Sequence, residues 1–309
     1  MVTLTELKYL VAVAEHGHFG RAAEACNISQ PTLSMQLKKL EELLGGQLFE
    51  RTNKSCRITP MGEAILGTAR RVLAGAEEIR AIARKTEPLC GTLRLGAIPT
   101  LAPYMLPWLL PPLGTAYPDL RPAWVENLTA RLLEGLRNQS IDAAFLALPL
   151  GEPGIVEVPL FEEPFWVACA PDHRLARADA VGPHDLKGET VLCLTEGHCL
   201  RDQMIALCSQ SAEAGGALGD FRLASLETVR QLVACGTGIT LLPAMATPQA
   251  LGVETGIVAR PYGGAERRTI GLAFRETYPG RPDLELLADL VRRNLPSCVM
   301  PINDRIYQS

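Results

Sequence analysis

The chain has no uninterrupted apolar run long enough to cross a bilayer. Its most apolar segment, LAPYMLPWLLPPL, is broken by four prolines and falls short of the ~20 residues a spanning helix needs. The first residues, MVTLTELKYLVAVAEHGHF, lack the basic head and apolar centre of a secretory leader. These two absences make the cytoplasm the expected location, with no membrane partner. No GxGxxG or GxxxxGK[ST] pattern is present, which removes the common nucleotide cradles. The Gly-rich GTGI follows a helical pattern and reads as a helix end running into a strand. No CxxC pair is present either, so zinc-knuckle spacing is absent, and neither metal nor cofactor is expected. A strong charge of one sign is also missing. The net charge is −4, and residues 1–88 carry 12 Lys+Arg against 10 Asp+Glu. A head this weakly basic is not marked as a nucleic-acid binder by charge alone.

What is present is pattern. The 309 residues suit two or three domains, each able to bury its own core without disulfide staples. Nine cysteines in a reducing compartment start as free thiols. Residues 3–15 place Leu4, Leu7, Leu10, Val11 and Ala14 on one helical stripe. A short helix fits 20–27. Ser29 then stands as an N-cap with Pro31 in the first turn, and Leu33, Leu37, Leu40 and Leu44 form the inner face of a third helix ending at Gly45-Gly46. Its outer face offers Gln30, Thr32, Ser34, Met35, Gln36, Lys38 and Lys39. A helix, a tight turn and a second helix with a polar outer face form a plan that suits the DNA major groove. Arg51, Lys54 and Arg57 surround a probable turn after it, as a wing facing phosphates would. A small helical bundle with a charged, solvated face fits the same periodicity.

The segment AAEACNISQPTLSMQLKKLEELLGGQLFERTNKSCRITPMGE resembles the winged head of LysR-type transcriptional regulators. That likeness implies a DNA-binding domain over 1–58, with Gln30, Pro31, Thr32, Ser34, Met35, Gln36, Lys38, Arg51 and Arg57 on the DNA. Beyond it, Ile58, Ile65, Ala69, Val72, Ala76, Ile79 and Ala83 keep the a/d rhythm of a coiled coil. Residues 59–88 are therefore expected to form a dimerising linker helix, with a helix packed on its own domain as the alternative.

From residue 91, strand-like TLRLGAI, RPAWVEN, DAAFLAL, PFWVACA, TVLCLTE, GITLLP and RTIGLAF alternate with helical ARLLEGLRN, LETVRQLVAC and DLELLADLVRRNL. That alternation argues an α/β domain with a largely parallel sheet. Such sheets bind ligands beyond the strand carboxyl ends, near helix N-termini. Thr100 and Thr129 stand at such places, although each also reads as an ordinary helix cap. The family likeness implies a two-lobed effector domain over 89–309, similar to type 2 periplasmic binding proteins. Lobe one is expected at about 91–163 and 268–300, and lobe two at about 164–267.

Within lobe two stands EGHCLRDQMIALC, residues 196–208, with Cys199 and Cys208 nine positions apart. In a helix, nine residues rise about 13.5 Å and turn about two and a half times, so the thiols face opposite sides. A disulfide needs Cα atoms roughly 4.4–6.8 Å apart. A Cys199–Cys208 bond and a helix over this stretch therefore exclude each other, which makes the segment a redox-driven two-state element. Gly197 breaks the preceding strand and puts Cys199 near a helix start, where the dipole and Arg201 favour a thiolate. His198 could orient an oxidant or donate a proton to its leaving oxygen, and Asp202 reads as a helix-start residue. Cys208, after Ala206 and Leu207, has apolar neighbours. The same residues also fit two buried structural cysteines, whereas a zinc site lacks further ligands.

The stretch EGHCLRDQ...C resembles the redox centre of the peroxide-sensing LysR-type regulators, and GAIPTLAPYMLP, VENLT and RRTIGL are similar as well. The resemblance implies that Cys199 is peroxidatic and Cys208 resolving, and that Thr100, Thr129 and His198 bind peroxide. It also implies that Arg267 or Arg268 joins Arg201 in stabilising the thiolate. The implied partners are promoter DNA, hydrogen peroxide, RNA polymerase and further copies of the chain, as dimer or tetramer. Cys169, Cys193 and Cys235 are alternative disulfide partners, and Cys26 lies in the head. A LysR-type regulator answering a small organic effector in the interlobe cleft is the alternative function. A thiol peroxidase or Cys hydrolase would leave the head unexplained, so no enzyme activity is expected.

Overall fold

Thr3 starts the first helix. Its hydroxyl accepts the Glu6 N–H at 3.3 Å and the Glu6 carboxylate accepts the Thr3 N–H at 2.8 Å, a reciprocal cap that satisfies two donors at once. Helices α1 (Leu4–His16), α2 (Phe19–Ala25) and α3 (Gln30–Leu44) follow. Ser29 caps α3 through the Thr32 N–H at 3.3 Å, and Gly45 ends it with φ 75°, a left-handed turn that glycine adopts without penalty. Leu33, Leu37 and Leu40 are fully buried against Leu10 and Val13. The structure is a computed structural model that describes residues 1–51, 56–84, 88–209, 223–252, 255–263 and 266–302.

Strands β1 (Phe49–Arg51) and β2 (Cys56–Ile58) pair antiparallel as the wing. Glu41 ties this hairpin to α3 by accepting the N–H groups of Leu48 at 2.8 Å and Phe49 at 3.3 Å. Helix α4 (Pro60–Arg84) comes next. Ile58, read above as the start of the linker rhythm, pairs with Phe49 in β2 instead. Pro60 opens the helix, so the rhythm starts only at Ile65. Ala69 is buried in the head's core with Ile65, Leu66 and Leu73 packed against it. Val72 and Ile79 are 44% and 71% exposed, leaving an apolar stripe uncovered.

The chain divides into two compact units, Met1–Glu87 with Arg137–Ser140, and Pro88–Leu136 with Ile141–Ser309. The second contains β3 (Gly91–Ala97), α5 (Ala102–Ala116), β4 (Leu120–Glu126), α6 (Thr129–Arg137), β5 (Ala143–Leu148) and β6 (Ile155–Cys169). It continues through α7 (Cys199–Ser209), α8 (Leu226–Ala234), β7 (Thr240–Pro243), α9 (Pro248–Leu251), β8 (Val258–Pro261), β9 (Arg267–Arg275), α10 (Arg281–Arg293) and β10 (Met300–Pro301). One sheet runs β4-β3-β5-β9-β6-β10, and β7 and β8 flank the far end of β6. The 15-residue β6 thus serves two sheets. Ile155–Pro164 pairs with β9, and Phe165–Cys169 with β7 and β8. The chain leaves the main sheet after Pro164 and returns to it at Arg267.

This topology corrects two expectations. The main sheet is mixed, because β9 returns antiparallel between β5 and β6 and only the β3–β4 and β3–β5 pairs are parallel. TVLCLTE makes no continuous strand. It holds single bridges at Val191 and Leu194, and its backbone is met locally by Ile239, Leu223 and the Thr240 hydroxyl. Gly271 sits where β9 is squeezed. A Cβ there would meet the Leu148 side chain and lie 2.9 Å from the Val158 carbonyl. Gly271→Ala is therefore expected to cost about 1–3 kcal/mol, seen as a lower urea midpoint at unchanged slope.

Candidate functional site

In lobe one, the turn after β3 presents Ile98, Pro99 and Thr100, and the turn after β4 presents Leu128 and Thr129. Gly197, His198 and Cys199 complete the pocket from lobe two. Gly197 has φ 93°, and a Cβ on it would stand 3.1 Å from Leu128 Cδ1. Glycine here permits both the backbone turn and the close approach of the lobes. The empty space is about 160 Å³ counting its mouth, with no room for a water-sized sphere inside. A small oxidant enters only as the lining side chains yield.

Cys199 is the first residue of α7 and is a free thiol. Burial pushes its pKa above the ordinary thiol value. The Arg268 charge, the Leu200 N–H and the Thr129 hydroxyl work against that rise without cancelling it. Loss of solvation outweighs the cation and the N–H groups, which pulls the sulfur toward its thiol form, against the helix start. His198 is 6% exposed, and burial lowers its pKa. A neutral imidazole carries one N–H donor and one acceptor nitrogen.

Arg268 is fully buried. It donates from Nε to Glu163 Oε2 at 2.8 Å, from Nη1 to Thr100 Oγ1 at 3.1 Å and from Nη2 to the Thr100 carbonyl at 3.0 Å. With Thr100 Oγ1 accepting that bond, its O–H remains to donate elsewhere. Thr100 is no helix cap, because Leu101 holds that position for α5. Arg267 instead meets Glu162 at 3.2 Å near the surface. Arg201 meets Glu196 at 3.4 Å, away from the sulfur's electrostatic partners, and Asp202 is exposed. The sequence reading missed Glu163. Its signal was an acid in the apolar run LFEEPFWV, but nothing in that run says which strand opposes it.

Cys208 lies in α7 with Cys199, and its side chain falls outside the described residues. At helical rise the two Cα atoms are about 13.5 Å apart. Cys169 and Cys193 are buried, Cys235 is exposed and Cys26 is half-buried. Among the described residues no cluster of His, Cys, Asp or Glu could hold a metal, and no helix is long and apolar enough to cross a membrane. A second cavity of ≈ 150 Å³ lies between the lobes, lined by Tyr104, Glu126, Ser225 and Glu227 among others. That is about half the smallest usual small-molecule pocket.

In the head, Gln30, Pro31, Met35 and Lys38 are exposed on α3, and Thr32, Ser34 and Gln36 are half-buried. Met35 is 63% exposed, which leaves an apolar tip on the outer side of this helix. Arg57 is exposed on β2. Arg51 ends β1, and its side chain, like Lys54, lies outside the described residues.

Residues 4–63 match the profile of the bacterial regulatory helix-turn-helix protein, lysR family, and residues 86–296 that of the LysR substrate binding domain. The chain is 43% identical to a hydrogen peroxide-inducible genes activator of Dickeya chrysanthemi, over 95% of this chain and 96% of that one. It is 42% identical, at the same coverage, to the DNA-binding transcriptional dual regulator OxyR of Escherichia coli K12. Its fold is similar to full-length OxyR C199D from Pseudomonas aeruginosa, with TM-score 0.79, 38% identity and 98% of both chains covered. It is also similar to crystal structures of reduced OxyR (TM-score 0.61, 41% identity, 68% of this chain and 98% of that one) and oxidised OxyR (0.60, 42%, 67% and 97%). The chain belongs to the LysR family and, within it, to the OxyR-type hydrogen peroxide-inducible activators.

Proposed function

We propose that this protein is a DNA-binding transcriptional regulator switched by hydrogen peroxide through a Cys199–Cys208 disulfide. The observation that carries this reading is the pocket itself, where Thr100, Thr129 and His198 surround the Cys199 sulfur at the head of a helix that also contains Cys208. Thr100 and Thr129 hydroxyls and the neutral His198 ring hold the two peroxide oxygens. The sulfur attacks one oxygen, the O–O bond breaks, and the thiol proton leaves with the departing oxygen as water. Cys199 becomes a sulfenic acid. The Cys208 thiol then displaces a second water to form the disulfide. Arg268, and not Arg267 or Arg201, stabilises negative charge on sulfur as the proton moves.

The bond cannot form while α7 is a helix. Leu200, Met204 and Leu207 anchor α7 in the core at 0–4% exposure, so oxidation must pull this stripe loose. Rearrangement of lobe two then changes how paired heads sit on a promoter, where RNA polymerase is the onward target in the cytoplasm. The exposed Val72 and Ile79 supply the seam for pairing two chains. The interlobe cavity is small for an organic effector, which favours the peroxide reading over that alternative.

Cys199→Ser is expected to abolish the peroxide response on promoter DNA. Cys208→Ser is expected to stop at a sulfenic acid that dimedone traps and mass spectrometry detects, and a normal footprint change in Cys199→Ser would defeat the sensor reading. Thr129→Val removes one hydrogen bond worth about 0.5–1.5 kcal/mol and should slow Cys199 oxidation roughly two- to tenfold, measured by stopped-flow. Arg57→Ala should weaken DNA binding evenly across sequences and flatten the salt dependence by about one unit of slope. Val72→Asp with Ile79→Asp should shift sedimentation toward a smaller assembly without lowering the melting temperature of the head.

A further inference from the structure

Glu163 stands directly opposite Arg268 in the β6–β9 ladder, one residue before β6 passes into lobe two. Neither side chain is exposed at all. Glu163 Oε2 takes the Arg268 guanidinium at 2.7–2.8 Å, and Oε1 accepts the Met245 N–H from lobe two at 2.8 Å. One carboxylate thereby fixes the plane of the guanidinium whose other donors grip Thr100. It is also the contact anion of the cation that acts on Cys199. In a site this dry, a buried charge is shared among the few opposite charges in reach, because no solvent disperses it.

Among the described residues, Arg268 is the one charge that acts on the sulfur. His198 is buried and neutral, Thr100 and Thr129 are uncharged, Arg201 is engaged with Glu196, and Asp202 faces outward. Among the described residues, Glu163 pairs with Arg268 and faces the Cys298 thiol; burial first, and then the Glu163 charge, push that thiol up.

We propose that Glu163 is a positioning residue that sets the sensor's selectivity: paired with Arg268, it limits how much of that charge reaches the Cys199 sulfur. The proposal rests on the peroxide reading and deepens it. A standing thiolate would attack any disulfide or electrophile that reached it. A thiol held protonated reacts fastest with a molecule that fits among Thr100, Thr129 and His198 and can carry the proton away as it departs. Hydrogen peroxide meets both conditions, whereas the halide leaving an alkylating agent takes no proton and a disulfide is larger than the pocket.

The test is the pH profile of Cys199 alkylation by iodoacetamide in the reduced full-length protein, read by mass spectrometry of the Cys199 peptide. Glu163→Gln keeps the shape and removes the charge. Its alkylation midpoint is expected to fall by about one pH unit, a roughly tenfold gain in thiolate at neutral pH, and the ratio of peroxide rate to iodoacetamide rate should drop with it. An unchanged or higher midpoint overturns the proposal. If Glu163→Gln fails to fold by circular dichroism, Glu163→Asp decides, since it keeps the charge but draws it back by one methylene. A midpoint between one-tenth and one unit lower supports the idea, and a wild-type midpoint overturns it. Alkylation involves neither peroxide nor DNA, so this result and the fate of the peroxide reading, tested with Cys199→Ser, are distinguishable.

Discussion

The Arg268–Glu163 pair is the interaction on which the site depends. It joins the two strands that carry the chain between lobes, and its remaining bonds reach Thr100 in lobe one and Met245 in lobe two. A buried ion pair of this kind adds little net stability, because desolvation offsets most of the attraction. Its geometry is nevertheless strict, since every donor and acceptor must be met in a dry interior. The pair therefore works as a jig. It brings a threonine, a cation and the start of α7 to one place, and the pocket's dimensions follow from it.

The second constraint is the opposition between helix and cross-link. While α7 stands, Leu200, Met204 and Leu207 are buried, each worth about 1.5–3 kcal/mol relative to exposure. Unwinding the helix gives up those contacts, together on the order of 5–9 kcal/mol. Forming the cross-link must outweigh that loss, and reduction recovers it. The helix is thus the restoring spring of the switch. Cys199 sits at its first residue, where reaction disturbs few backbone hydrogen bonds before the change spreads.

Much of the head was legible in the sequence, because its signals are local. Thr3 and Ser29 cap, Gly45 stops, and the leucines of α3 repeat at helical spacing, so each statement needed only a few neighbouring residues. The effector domain was legible in its helices but less so in its sheet. Strand direction depends on partners more than a hundred residues away, and β9 reversed the expected parallel order. TVLCLTE looked like a strand by composition yet formed isolated bridges. In the site, Thr100, Thr129, His198 and Cys199 do line one pocket. The choice between Arg267 and Arg268 rested on strand register, which alternates faces with each residue and cannot be read from RRT alone. Glu163 was hidden for the same reason. The helix start at Cys199 is visible in sequence, whereas the depth of burial that opposes its effect on the thiol is not.

The absence of free room among Thr100, Thr129 and Cys199 has a kinetic meaning. A cavity already open would collect water, and an incoming oxidant would have to evict it. A closed one works more like a turnstile. Where passage waits on the parting of side chains, the aperture would favour the slimmest traveller. Bulkier hydroperoxides, bearing a carbon tail behind the reactive oxygens, would need a wider and rarer opening than the fold readily grants.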